Sequence, residues 1–118
     1  MEERRISPRL AINQFASLVV GDSIKPIPCT VEDISASGMR VSLSKYLFPE
    51  VFSNVSFALT DNFSFDVGAN VRWQESTDTN NTYGITFTRI EDSDRSRIEQ
   101  FVNSSLEEDK KSNWWREP

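Results

Sequence analysis

Two short stretches of the sequence hold residue types able to recognise a charged ligand. Near the N-terminus, Arg5-Ile6-Ser7-Pro8-Arg9 sets two guanidinium groups four residues apart, with Arg4 beside them. Further on, Asp33-Ile34-Ser35-Ala36-Ser37-Gly38 groups a carboxylate, two hydroxyls and a glycine. Arginine's planar fork grips phosphate bidentately, and its face stacks on flat rings. A carboxylate accepts from N–H donors, and glycine lets backbone come close. Each stretch also has a plainer reading. Paired arginines sit on many solvated arms, and Asp-x-Ser-x-x-Gly is ordinary hairpin chemistry, with Asp33 and Ser35 bonding backbone amides. Singly, neither assigns a function.

The whole chain narrows what such residues could do. Its 118 residues are enough for one domain with its own core. The net charge of −5 argues against general nucleic-acid binding, which relies on many phosphate contacts. An anionic ligand must therefore be met by a local basic cluster, and Arg4, Arg5 and Arg9 supply one. Histidine is absent, which removes the commonest general base and zinc ligand. Cys29 is the single cysteine, so no intrachain disulfide forms, and a reducing cytoplasm is the expected compartment. No apolar run is long enough to span a bilayer, and no secretory signal is present. With no metal-ligand cluster or phosphate-cradling Gly-rich loop either, an enzyme is the least favoured class. The initial Met1 and the short tail fit a complete protein.

The positioning elements follow from periodicity. Phe63, Phe65, Val67, Ala69, Val71 and Trp73 alternate with Ser64, Asp66, Gly68, Asn70 and Arg72, predicting one long strand with a buried face. Met39, Val41 and Leu43 show the same pattern, as do Val55, Phe57 and Leu59, and Tyr83, Ile85 and Phe87. Leu10 to Val20 and Ile27 to Ile34 are β-prone with weaker alternation. Turn residues separate these runs, so a small closed barrel or a sandwich is expected, closure being favoured because it hides strand edges. After Arg89 the period changes. Asp92 or Ser93 can cap a helix of about 93–108, with Ile98, Phe101, Val102 and Leu106 on one face. Residues 109–118 form a charged tail carrying Trp114 and Trp115, which either fold back on the domain or contact a partner.

Together the two stretches say more than either alone. Arg-x-x-x-Arg upstream and Asp-x-Ser-x-x-Gly downstream, one strand pair apart, resemble the paired signature of the PilZ domain family. Val71-Arg72-Trp73, Tyr83-Gly84-Ile85-Thr86-Phe87 and the final helix extend the resemblance from about Arg4 to Leu106. It implies a mainly β fold, a six-stranded antiparallel barrel of split-barrel type with a C-terminal helix. Residues 1–9 would be a flexible arm and 10–106 the barrel domain. It also implies a ligand, the bacterial second messenger cyclic di-GMP, with no cofactor and no metal. Arg5 and Arg9 match the arginine motif, and Asp33, Ser35 and Gly38 the second motif. Arg4 is a further candidate contact, as is Ser37, which stands where many members carry glycine. The chemistry fits that ligand. Arginine pairs with phosphate and with guanine O6 and N7, while Asp33 accepts from the N1–H and N2–H₂ edge.

The resemblance implies a receptor that changes conformation on binding and regulates a protein partner in motility, biofilm, exopolysaccharide or virulence pathways. It would act as a monomer or weak dimer, with no DNA and no membrane insertion. The alternative is a PilZ-like interaction module without nucleotide, as in pilus assembly, which the intact arginine motif disfavours. A small barrel stacking single-stranded nucleic acid on its aromatics is disfavoured by the acidic balance.

Overall fold

The computed structural model describes residues 9–21, 25–60 and 62–114, with side chains through Ser104. Arg4, Arg5 and Trp115 lie outside the described residues. Six strands, all paired antiparallel, form the fold: β1 (Leu10–Val20), β2 (Ile27–Ser35), β3 (Gly38–Leu43), β4 (Val55–Thr60), β5 (Phe63–Ser76) and β6 (Asn81–Ile90). They close into a barrel in the order β1-β2-β3-β6-β5-β4, so the sandwich alternative is set aside.

Alternation does most of the building. Met39, Val41 and Leu43 of β3, Val55, Phe57 and Leu59 of β4, and Tyr83 and Ile85 of β6 are buried in one core. A 3-10 turn over Pro49–Ser53 brings Phe52 into that core, its ring 5.1 Å from that of Tyr83. The Tyr83 hydroxyl donates to the Leu47 carbonyl (2.9 Å) and accepts from the Leu47 amide (2.7 Å), so this buried phenol is fully partnered. Cys29 lies in the same interior, and burial pushes its thiol up to about 12. Since the thiolate is the reactive form, Cys29 should resist a thiol reagent such as iodoacetamide at pH 7.5 in the native protein. It should react at once in denaturant, and mass spectrometry of the two samples checks this.

The helix α1 (Asp92–Trp114) follows β6. Ile98 and Val102 are buried in the core, as their spacing requires, and Phe101 packs on Phe63 at 5.3 Å. Arg97 latches the helix to the barrel by donating to the carbonyls of Asn62 and Ser64, each at 3.2 Å, with its guanidinium over the Phe63 ring. Two boundaries differ from expectation. The Glu91 carbonyl accepts from the Arg95 amide, which makes Glu91 the capping position, one residue ahead of Asp92. At the other end the helix runs to Trp114 and not to about 108, because Glu107, Glu108, Lys110 and Lys111 are good helix formers. Trp114 is thus helical, and among the described residues no separate tail begins before it.

Three irregularities shape the outer surface. In β1 the register shifts between Ala11 and Gln14, where Asn13 takes φ 46°, a region asparagine tolerates better than most residues. In β2, Val31 faces Val41 and Asp33 faces Arg40, so Glu32 is an extra residue, a β-bulge. In β5, Val71 faces Ile85 and Trp73 faces Gly84, so Arg72 is extra in the same way. The β5 bulge corrects the expectation that Trp73 continues the buried face. Phe65, Val67 and Ala69 do point inward, but the added residue turns Trp73 outward, where it is 45% exposed.

Candidate ligand-binding site

The bulges and the register assemble one row of residues across the outside of the barrel. Ala11 on β1 faces Asp33 on β2, Asp33 faces Arg40 on β3, Arg40 faces Gly84 on β6, and Gly84 faces Trp73 on β5. Val31 and Ile34 are fully buried, so the extra Glu32 between them leaves both Glu32 and Asp33 for the outer side, where both reach Arg40. Arg9, immediately before β1, pairs with Asp33 Oδ1 across 24 residues of sequence. Arg40 Nε lies 3.0 Å from Glu32 Oε1 and 3.3 Å from Asp33 Oδ2. Asp33 therefore has both oxygens engaged, each by a different arginine, and its side chain is 10% exposed.

At the far end of the row, Trp73 lies against the backbone of Gly84. A side chain at Gly84 would meet the indole within 2.3 Å, so the absence of one is what lets the ring lie flat there. Such cross-strand pairing of an aromatic with glycine covers backbone that would otherwise be bare. Arg9, Asp33, Arg40, Arg72, Trp73 and Gly84 border a recess of about 290 Å³, with Met39, Ile85 and Thr86 completing it. That is near the lower end for small-molecule pockets, which suits a single flat ring system with the rest of its ligand outside. Three guanidinium groups face two carboxylates here, a local positive excess on an acidic chain.

The second motif's other residues shape the turn. Ser35 is buried, and its hydroxyl accepts from the Ser37 amide (3.2 Å), donates to the Gly38 carbonyl (3.3 Å) and meets the Ser37 hydroxyl (3.1 Å). Ser37 is exposed, and its carbonyl accepts from the Phe87 amide (2.9 Å). Gly38 starts β3 so close to β6 that a Cβ would fall 2.2 Å from the Ile85 carbonyl oxygen. Ala36, at the tip, is buried, and with Glu99, Val102 and Asn103 of α1 it borders a small crevice.

Of the residues singled out in the sequence, Arg9 and Asp33 are brought together, and Ser35, Ser37 and Gly38 form the turn that follows Asp33. Arg4 and Arg5 lie outside the described residues, as does Trp115, and the side chain of Trp114 is not among those described. Arg40, Arg72 and Trp73 were not anticipated. Arg40 could have been found as the outward cation between Met39 and Val41, whereas Trp73 follows the buried alternation and gives no warning. Among the described residues, no group of three His, Cys, Asp or Glu could hold a metal ion, and no helix is long and apolar enough to cross a membrane.

Comparison with known proteins agrees with this architecture. The structure of Escherichia coli YcgR in complex with c-di-GMP superposes with a TM-score of 0.70 at 14% identity, covering 93% of this chain and 49% of that chain. The PilZ domain with c-di-GMP of the same E. coli protein gives 0.65 at 12% identity, covering 93% of this chain and 97% of that domain. Bacillus subtilis MotI, an inhibitor of motility, gives 0.66 at 16% identity, covering 89% of this chain and 52% of MotI. The chain thus spans about half the length of YcgR and MotI. No curated protein sequence is a significant match. At these identities the superpositions establish the barrel alone; the sequence pattern of the PilZ domain, however, matches residues 3–104. With that pattern running over most of its length and the barrel closed as described, the chain belongs to the PilZ domain family.

Proposed function

We propose that the protein is a bacterial receptor for cyclic di-GMP that binds through Arg5, Arg9, Asp33 and the turn from Ser35 to Gly38, and regulates a protein partner. One observation carries the reading. Arg9 and Asp33 meet beside a flat tryptophan platform, which supplies a phosphate donor, a guanine acceptor and a stacking surface in one recess. Cyclic di-GMP offers two phosphates and two guanines, and each finds a complementary group. Asp33 accepts from the N1–H and N2–H₂ edge of one guanine, Arg9 leaves Asp33 for phosphate or base, and Arg5 closes from the arm. Arg4 adds a further cation near that arm. Two cyclic di-GMP complexes among the superposed structures support this choice of ligand.

Binding makes and breaks no covalent bond, so output is a changed surface and not a product. In this reading residues 1–9 contribute Arg5 and Arg9 to the ligand, and residues from Leu10 onward are the frame. The partner meets exposed apolar side chains, for which Phe15 (73% exposed) and the edge-to-face pair Tyr46 and Phe48 are available; Trp114 and Trp115, whose side chains are not among those described, are the further candidates from the sequence. The protein acts in the cytoplasm as a monomer or weak dimer.

Calorimetric titration of the full chain with cyclic di-GMP at low salt should show binding, and an absence of heat would overturn the proposal. Arg9→Ala should weaken that binding at least tenfold, corresponding to about 1–3 kcal/mol for a good arginine–base or arginine–phosphate contact. Affinity should fall as salt is raised, because the contacts are charged and partly open to solvent.

A further inference from the structure

Arg40 is held by one end of its guanidinium and free at the other. Its Nε lies within ion-pair distance of both Glu32 and Asp33, while Nη1 and Nη2 donate no hydrogen bond among the described residues. The side chain is 44% exposed and borders the recess. Gly84, next across the sheet, has no side chain to cover it. Two terminal N–H donor groups therefore stand beside the Asp33 carboxylate, fixed there by the register of β2 and β3.

We infer that Arg40 and Asp33 form a two-residue reader for guanine, with Arg40 as the specificity-determining donor to O6. The inference rests on the cyclic di-GMP reading of the site. Guanine presents O6, N1–H and N2–H₂ in sequence along one edge. A carboxylate accepts from N1–H and N2–H₂, and the neighbouring position then requires a donor for O6. Asp33 and Arg40 are directly opposite on adjacent strands, where side chains are close neighbours. Adenine places an amino group where guanine has O6, so it sets donor against donor at Arg40 and offers Asp33 no N1–H. Glu32 anchors Nε, so the guanidinium plane stays in place when Arg9 leaves Asp33.

Three ligands separate this role from simple support of Asp33. Cyclic di-IMP keeps O6 and N1–H but lacks the N2 amine, and cyclic di-AMP lacks the whole guanine edge. Each is titrated calorimetrically into the wild-type chain and into R40A, R40K and R40Q, with melting temperatures confirming that each variant is folded. R40A should weaken cyclic di-GMP and cyclic di-IMP by the same factor, about tenfold or more, leaving the ratio between them unchanged. It should also narrow the gap to cyclic di-AMP, and R40K and R40Q, which keep a donor, should recover part of the loss. Unchanged affinity in R40A would overturn the inference. So would collapse of the cyclic di-GMP to cyclic di-IMP ratio, which would mean that Arg40 acts only by placing Asp33. Wild-type protein that binds no cyclic di-GMP would overturn the receptor reading itself, whereas wild-type binding with an unaffected R40A removes only the role of Arg40.

Discussion

Gly38→Ala should lower the melting temperature by on the order of 10–15 °C, following a loss of about 3 kcal/mol. The added methyl would fall 2.2 Å from the Ile85 carbonyl oxygen and 3.2 Å from the Thr86 Cα, both backbone atoms. Neither can rotate away, so β3 must lift from β6 at its first residue, where Gly38 faces Thr86. The neighbouring bond from the Phe87 amide to the Ser37 carbonyl would be disturbed as well. The same displacement moves Arg40 and Asp33, which depend on this register, so cyclic di-GMP binding should weaken even below the melting transition. Differential scanning calorimetry and titration on one preparation would measure both. A variant as stable as the parent would show that the strand contact is looser than its geometry indicates.

Asp33→Ala should reduce cyclic di-GMP affinity by about 10- to 100-fold, the range set by two guanine-edge hydrogen bonds at about 1–3 kcal/mol for a bidentate pair. The change in stability should be much smaller, about 1 kcal/mol, because Arg9 and Arg40 are half exposed and water can take over their charges. This separation of effects is the useful feature of the experiment. Calorimetric titration beside a urea unfolding curve would check it, and a variant retaining parental affinity would remove Asp33 from the site.

Gly38 and Asp33 were both legible in the sequence, yet for unequal reasons. Alternation in Met39 to Leu43, Val55 to Leu59 and Tyr83 to Phe87 reports which face of each strand meets the core, and that face needs no knowledge of the partner strand. The barrel was therefore within reach, as was the helix carrying Ile98 and Val102. Spacing also marked Arg9 and Asp33 as residues worth pairing. What periodicity could not report is where it is interrupted. Glu32 and Arg72 look like ordinary polar members of their strands, and only the register against β3 and β6 identifies them as extra. Trp73 was misplaced for this reason, and Arg40 gained its meaning only when its cross-strand neighbours were known. The hydroxyl of Ser35 shows a related limit. Residue type offers it to a ligand, while the fold engages it within the turn.

The two bulges make the recognition surface depend on a count of residues as well as on their identities. With Arg72 deleted, Val71 still faces Ile85 and Trp73 still faces Gly84, now by plain alternation, so the tryptophan keeps its outer position and only the Arg72 guanidinium is lost. Deleting Glu32 likewise leaves Val31 inward and Asp33 outward opposite Arg40, and removes the carboxylate that sits 3.0 Å from Arg40 Nε. Each bulge therefore adds a second outward side chain beside the one that regular pairing already places, whereas the turn at Thr77–Asn80 lies beyond both bulges and lends nothing to the recess.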